Sequence, residues 1–128
     1  DTLDFDVFLG AGAAQVNATG TDFVTAGLSL ATGNNVGFVY NKASLTSSDI
    51  VITAAAAVGK IDIANDSKNV IFVNADADGT GITDNWSVYF VEDTDATAAV
   101  NATVTLVGTI VVNSAIDTIG KMDGITIA

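Results

Sequence analysis

Trp86-Ser87-Val88-Tyr89-Phe90-Val91 (WSVYFV) is the stretch that decides the fold class. All but Ser87 are aromatic or β-branched, the types that pack well on a pleated surface. Side chains along a strand alternate between faces. Trp86, Val88 and Phe90 therefore share one face, and Ser87, Tyr89 and Val91 the other. Outward from this stretch, Asn69 to Asn74 (NVIFVN) and Val36 to Tyr40 (VGFVY) have the same character. Ala102 to Asn113 reads as a long Thr/Val strand with a bulge at Gly108. Shorter candidates are Thr2 to Leu9, Asp22 to Val24, Leu28 to Leu30, Ile50 to Thr53, Lys60 to Ala64 and Ile125 to Ile127. Clusters of Asn, Asp, Gly and Ser separate them, as turn chemistry requires.

Many short strands at a spacing of roughly 8 to 12 residues indicate an all-β chain. The expected fold is an antiparallel β-sandwich or a β-roll-like domain with one or two short helical turns. Leu45 to Ile50 (LTSSDI) carries cap residues for one such turn. Ser114 to Gly120 (SAIDTIG) has a Ser start and a Gly stop. The 128 residues fit a single β-rich domain, 1–128. Phe38, Ile71, Val73, Val88, Phe90, Val104 and Leu106 are the expected core.

The residue inventory narrows the chemistry. The chain has no Cys, His, Arg or Pro, and 4 Lys stand against 15 acids, all Asp except Glu92. It lacks the usual general bases, thiol nucleophiles, transition-metal ligands and phosphate clamps. Oxygen donors remain, and these suit hard cations, calcium above all. The net charge of −11 opposes nucleic acid and anionic membranes, which need Lys and Arg to neutralise phosphate. No apolar run reaches the roughly 18 residues a membrane helix needs. With no His there is no Ser-His pair, and no G-x-S-x-G occurs. The acids lie in turn-like segments rather than as a buried pair for glycoside hydrolysis. No enzymatic activity is expected.

Two acidic turns are candidate metal sites. Asn74-Ala75-Asp76-Ala77-Asp78-Gly79 places oxygen ligands at alternate positions and then a Gly, like the first half of a calcium loop. Asp84 falls where a further ligand could reach, but Asn85 stands where an EF-hand wants its bidentate Glu. Strand-like flanks also argue against an EF-hand. The expected calcium ligands are Asn74, Asp76, Asp78 and Asp84, with a solvated hairpin turn as the alternative reading. Glu92-Asp93-Thr94-Asp95 is a weaker candidate. Its carboxylates, Glu92, Asp93 and Asp95, repel one another unless a cation or solvent intervenes. A plain polar loop explains the same residues. A third acidic cluster is Asp1, Asp4 and Asp6.

The start, Asp1-Thr2-Leu3-Asp4-Phe5, resembles the tail of a calcium-binding nonapeptide repeat of the repeats-in-toxin (RTX) kind, with Asp1 and Leu3 matching its D-x-U. The glycine-rich half of that repeat is missing. Trp86 to Asp93, Val104 to Thr109 and the close Asp123 to Ala128 look like the endings of bacterial surface proteins exported by type I secretion, including S-layer and biofilm-matrix proteins. The resemblance implies the C-terminal module of a larger exported protein, folding with calcium outside the cell, in a structural role. It implies an extracellular or cell-surface location.

Two functions from different classes follow. The first is a structural, self-associating extracellular β-domain whose partners are other copies of itself in a lattice or filament. Its edge strands, Ile125 to Ile127 or Thr2 to Leu9, would donate main-chain hydrogen bonds to a neighbour. The second is a calcium-dependent adhesin or carbohydrate-binding module that meets a cell-surface glycan through Trp86, Tyr40 and Tyr89. Those aromatics could equally pack in the core.

Overall fold

The computed structural model of the chain describes residues 2–3, 9, 20–30, 35–52, 57–75, 85–97, 101–111 and 126–127. They form ten strands: β1 (Thr2–Leu3), β2 (Gly20–Asp22), β3 (Leu28–Leu30), β4 (Asn35–Tyr40), β5 (Ile50–Val51), β6 (Ile61–Ile63), β7 (Lys68–Val73), β8 (Asn85–Glu92), β9 (Thr103–Val111) and β10 (Thr126–Ile127). One 3-10 turn, Ser47–Asp49, precedes β5. The all-β class with a short helical turn is as the sequence indicated. The segment Ser114 to Gly120 lies outside the described residues.

The larger sheet has the order β2-β4-β7-β8-β9, and a smaller one has β3-β6-β5. Successive strands pass between the two sheets: β2, then β3 in the other sheet, then β4 back beside β2. That path makes β2, β4 and β7 parallel, with Phe38 opposite Phe72 and Val39 opposite Val73. It also makes β3, β6 and β5 parallel. Among the described residues only β7, β8 and β9 pair antiparallel, whereas the sandwich expectation had this for the whole chain. Parallel strands need a crossover. Between β2 and β4 a strand of the opposite sheet, β3, lies on that path, in the place where many folds use a helix.

A parallel sheet is ordinarily buried on both faces, and these strands have the residues for it. One face of the large sheet presents Val39, Ile71, Val73, Tyr89 and Val91. These pack with Leu28, Leu30, Ile50, Ile61 and Ile63 of the small sheet in one apolar cluster. The other face presents Val36, Phe38, Val70, Phe72, Trp86 and Val88, and it too is buried. There Phe38 stacks on Phe72 with ring centroids 4.6 Å apart, and Trp86 meets Phe38 edge-on at 5.9 Å. Gly37 lets the sheets approach closely, because its missing Cβ would lie 2.6 Å from Leu28 Cδ2.

The core differs from expectation at its outer end. Phe38, Ile71, Val73 and Val88 are buried, but Phe90 is half-buried and Val104 only flanks the cluster. Leu106 is 55% exposed and Val107 49%. The ladder to β8 also shifts register: Val88 pairs with Gly108 and Tyr89 with Leu106, which leaves Val107 as the extra residue of a bulge. The bulge foreseen at Gly108 thus sits one residue earlier. At this outer strand Leu106 stays exposed, in contrast to its pairing partner Tyr89, which belongs to the core cluster.

Tight turns close the strand connections. Asp66, between β6 and β7, has φ 50°, and Asn41, after β4, has φ 62°. Asn and Asp tolerate this left-handed region better than other side-chain-bearing residues.

Candidate functional site

The acidic turns come first, because the sequence placed calcium there. Asn74 directly follows β7 and is 3% exposed. Its N–H donates to the Val39 carbonyl at 2.9 Å, and its own carbonyl accepts the Lys42 N–H at 3.0 Å. The root of the Asn74 to Gly79 loop is thereby pinned to the end of β4. Asp76, Asp78 and Asp84 lie outside the described residues.

The second turn is described in full, and its carboxylates point to three different places. Glu92 faces Lys68 across the β7–β8 pair at 3.6 Å. Asp93 is 1% exposed. Its N–H donates to the Ser67 carbonyl at 2.9 Å, and its carboxylate accepts the N–H groups of Asp66 and Asp95, each at 3.3 Å. Asp95 accepts the Thr97 N–H at 2.8 Å and the Asn101 side-chain amide at 3.0 Å. The bonds from Thr97, then that from Asn101, hold Asp95 below the usual carboxylate range. So Asp93 and Asp95 each stabilise a local turn, Glu92 pairs across two strands, and the three have different partners. Among the described residues no group of three or more acids is placed to hold a metal ion.

Two further acids close turns: Asp22, which the sequence did not single out, and Asp49, expected as a cap residue of Leu45 to Ile50. Asp22 accepts the Val24 N–H at 2.9 Å and the Asn41 side-chain amide at 3.1 Å, and the Asn41 bond lowers its pKa most. Asp49 accepts the Lys42 ammonium at 2.8 Å and the Thr46 N–H at 2.8 Å, closing a reciprocal cap on the 3-10 turn. Burial pushes Asp49 upward, yet its bonds from Lys42 and Thr46 together outweigh this and hold it low. Lys42 also lies 4.7 Å from the centre of the Phe23 ring. The spacing Thr46-x-x-Asp49 was the available signal for the cap. Nothing in the local sequence marked Lys42 as its partner.

The aromatic residues offered as sugar platforms are mostly interior. Trp86 is 1% exposed and Tyr89 7%, so neither presents a face for stacking, and Tyr40 is half-buried.

Four large apolar side chains are exposed among the described residues: Val24 and Val58 outside the strands, and Leu106 and Val107 side by side on β9. This strand reads TVTLVGTIV, and it is the last strand of the large sheet. Thr103, Thr105, Leu106, Val107 and Thr109 are exposed. From residue 96 to residue 116 the sequence carries no charged side chain. Among the described residues no strand pairs with the outer side of β9. The edges expected to donate to a neighbour, β1 and β10, pair with each other in parallel: Thr2 opposite Thr126 and Leu3 opposite Ile127. The sequence had assigned Leu106 to the core. Its partner Tyr89 is in the core cluster, so the side chain is on the inner face but, among the described residues, beyond the part that is covered.

Among the described residues no helix is long and apolar enough to cross a membrane. No protein-family model, no curated protein and no solved structure matches this chain.

Proposed function

We propose that the chain is a structural, self-associating β-domain that works outside the cell or at its surface, as part of a layer, filament or matrix. One observation carries the reading: a nine-residue, uncharged, proline-free outer strand with two large apolar side chains in water. Soluble proteins ordinarily defend such an edge with charge, proline or a covering segment. Among the described residues only the bulge at Val107 interrupts it. The extracellular setting is supported by the Thr-, Asn- and Gly-rich composition, the 15% of charged residues and the resemblance to type I secreted surface proteins. Calcium at Asn74, Asp76, Asp78 and Asp84 belongs to the same proposal, supported by the ligand spacing and by the pinned, buried Asn74 at the loop's root.

Sedimentation of the purified chain over a wide concentration range, with calcium and with a chelator, tests the reading. Reversible growth in mass with concentration is expected, and sheets or filaments in electron micrographs would show its form. A strict monomer in every condition would refute it.

A further inference from the structure

The large sheet ends differently on its two sides. Its first strand, β2, is three residues long and closes with Asp22, whose carboxylate is engaged by Val24 and Asn41. A short edge carrying a charge is a poor template for another strand. Its last strand, β9, is nine residues long and carries no charge.

We propose that β9 docks on β9 of a second copy of this chain, antiparallel about a two-fold axis, joining the two large sheets into one. The inference rests on the self-association reading above and names the strand that carries it.

Three observations select a second copy as the occupant. The first is charge. Copies with net charge −11 repel one another wherever carboxylates meet. Along β9 they meet none, since residues 96–116 are uncharged. A basic partner would be drawn to the acidic turns and would gain nothing here. The second is main-chain chemistry. Antiparallel pairing about a two-fold sets the outward N–H groups of one edge against the outward carbonyls of an identical edge. The third is shape. Centred on Val107, the pairing sets Leu106 against Gly108 of the partner subunit, so the largest side chain meets the residue with none. It also sets Thr105 against Thr109 of the partner subunit, a favourable cross-strand pair.

The alternative, β9 on β2 of the next copy, would be head-to-tail and would propagate as an open filament. It offers at most three residues of pairing and brings Asp22 to the contact. The two-fold pair is therefore the building unit, and any larger array needs a second contact. Nine paired residues extend about 30 Å. A single strand pair buries less than the roughly 1,200 Å² of a standard stable interface. The dimer is accordingly weak in dilute solution and is populated where copies are crowded.

The test uses the full chain. Thr105→Lys with Val107→Lys places charge on two exposed positions and leaves both cores untouched. Net charge changes from −11 to −9. If repulsion alone limited a non-specific association, this variant would associate more strongly. Docking through β9 predicts the reverse, at least a tenfold weaker association by sedimentation velocity, with an unchanged melting temperature. Because the chain has no Cys, single-cysteine variants give a second reading that survives any loss of stability in the lysine variant. Val107→Cys lies on the axis and should form disulfide-linked dimers with itself under mild oxidation. Thr103→Cys should not, because its copies are roughly 27 Å apart across the axis. A mixture of Thr103→Cys with Val111→Cys should cross-link. Cross-linking of Val107→Cys with Thr21→Cys on β2 would overturn the two-fold in favour of head-to-tail contact. Wild-type association that the lysine pair leaves intact would sink β9 docking while the structural role stands. A wild type that never associates removes both.

Discussion

Gly37 and Gly108 lie in strands of the same sheet, and the same substitution should act on them in opposite directions. A Cβ at Gly37 would come within 2.6 Å of Leu28 Cδ2, and within 3.1 and 3.4 Å of Leu30 Cδ1 and Cδ2. Leu28 is 6% exposed and Leu30 2%, so the two leucines have little room to retreat. Forcing a methyl group into such packing costs about 1–3 kcal/mol. Replacing Gly by Ala in a strand interior returns about 0.5–1 kcal/mol of backbone entropy. With both leucines held in place the clash outweighs the return, and Gly37→Ala should be destabilised by up to about 2.5 kcal/mol. At Gly108 no heavy atom lies within 4 Å of the added Cβ, and the backbone is outside the left-handed region. Only the entropy remains, so Gly108→Ala should be stabilised by about 0.5–1 kcal/mol. At about 4 °C per kcal/mol for a chain of this size, the melting temperatures should move apart by about 2–14 °C. Urea titration checks that the m-value is common to both, so that the shift reports native packing. A Gly37→Ala protein that melts at or above the wild type would refute the close approach of the two sheets.

Phe72→Ala removes a fully buried ring stacked on Phe38 and should cost about 3–5 kcal/mol. Leu106→Ala, on the exposed strand, should stay within about 0.5 kcal/mol of wild type in urea titration, and a loss as large as that of Phe72→Ala would put Leu106 back in the core. Asp49 is held below its ordinary pKa by Lys42 and Thr46, so its contribution is complete above about pH 4 and is lost as pH falls through the lower, folded-state value. Asp49→Asn should therefore flatten the acid limb of the stability curve below about pH 4 and leave its shape near neutrality unchanged; an unaltered acid limb would contradict the bonding described for Asp49. Calcium should raise the melting temperature of the wild type, and Asp76→Ala with Asp78→Ala should remove most of that gain; identical melts in calcium and in excess chelator would end the calcium proposal.

Much of the fold was legible because strand and turn chemistry act locally. WSVYFV, VGFVY and all but the last residue of NVIFVN became strands, and Asn41 and Asp66 occupy the turns after β4 and β6. Strand direction was not legible in the same way. It depends on whether the chain returns to the same sheet or crosses to another, and no residue within β2 or β4 encodes that. The one available hint was a pair of apolar faces on β4 and β7, which a sheet wetted on one side would not need. Leu106 was misplaced for a related reason. Its residue type suits a core, but burial depends on how far the opposing sheet reaches, and among the described residues nothing covers this part of β9. The acids of the second turn show the same limit. Their spacing permits a shared cation, whereas the backbone N–H groups around Asp66, Thr97 and Asp95 draw the carboxylates apart.

Those turn bonds also explain how charge and assembly are linked. Asp22, Asp49, Asp93 and Asp95 each accept a backbone N–H at a turn or cap, so part of the acidic excess is the by-product of closing strand connections. Only 4 Lys offset it. Two of them are committed to Asp49 and Glu92, and Lys60 donates to the Ser48 carbonyl. The resulting field repels an identical chain from every side that carries acids. Salt shortens the range of that repulsion to about 8 Å at physiological ionic strength and about 3 Å at 1 M. It leaves main-chain pairing along an uncharged edge almost untouched. Association should therefore strengthen as sodium chloride is raised from low to molar concentration, the opposite of an interface built from ion pairs. Sedimentation in a chelator, which removes any calcium effect, isolates this dependence. Weaker association at high salt would mean that charged groups hold the copies together, and the uncharged strand would lose its claim to the contact.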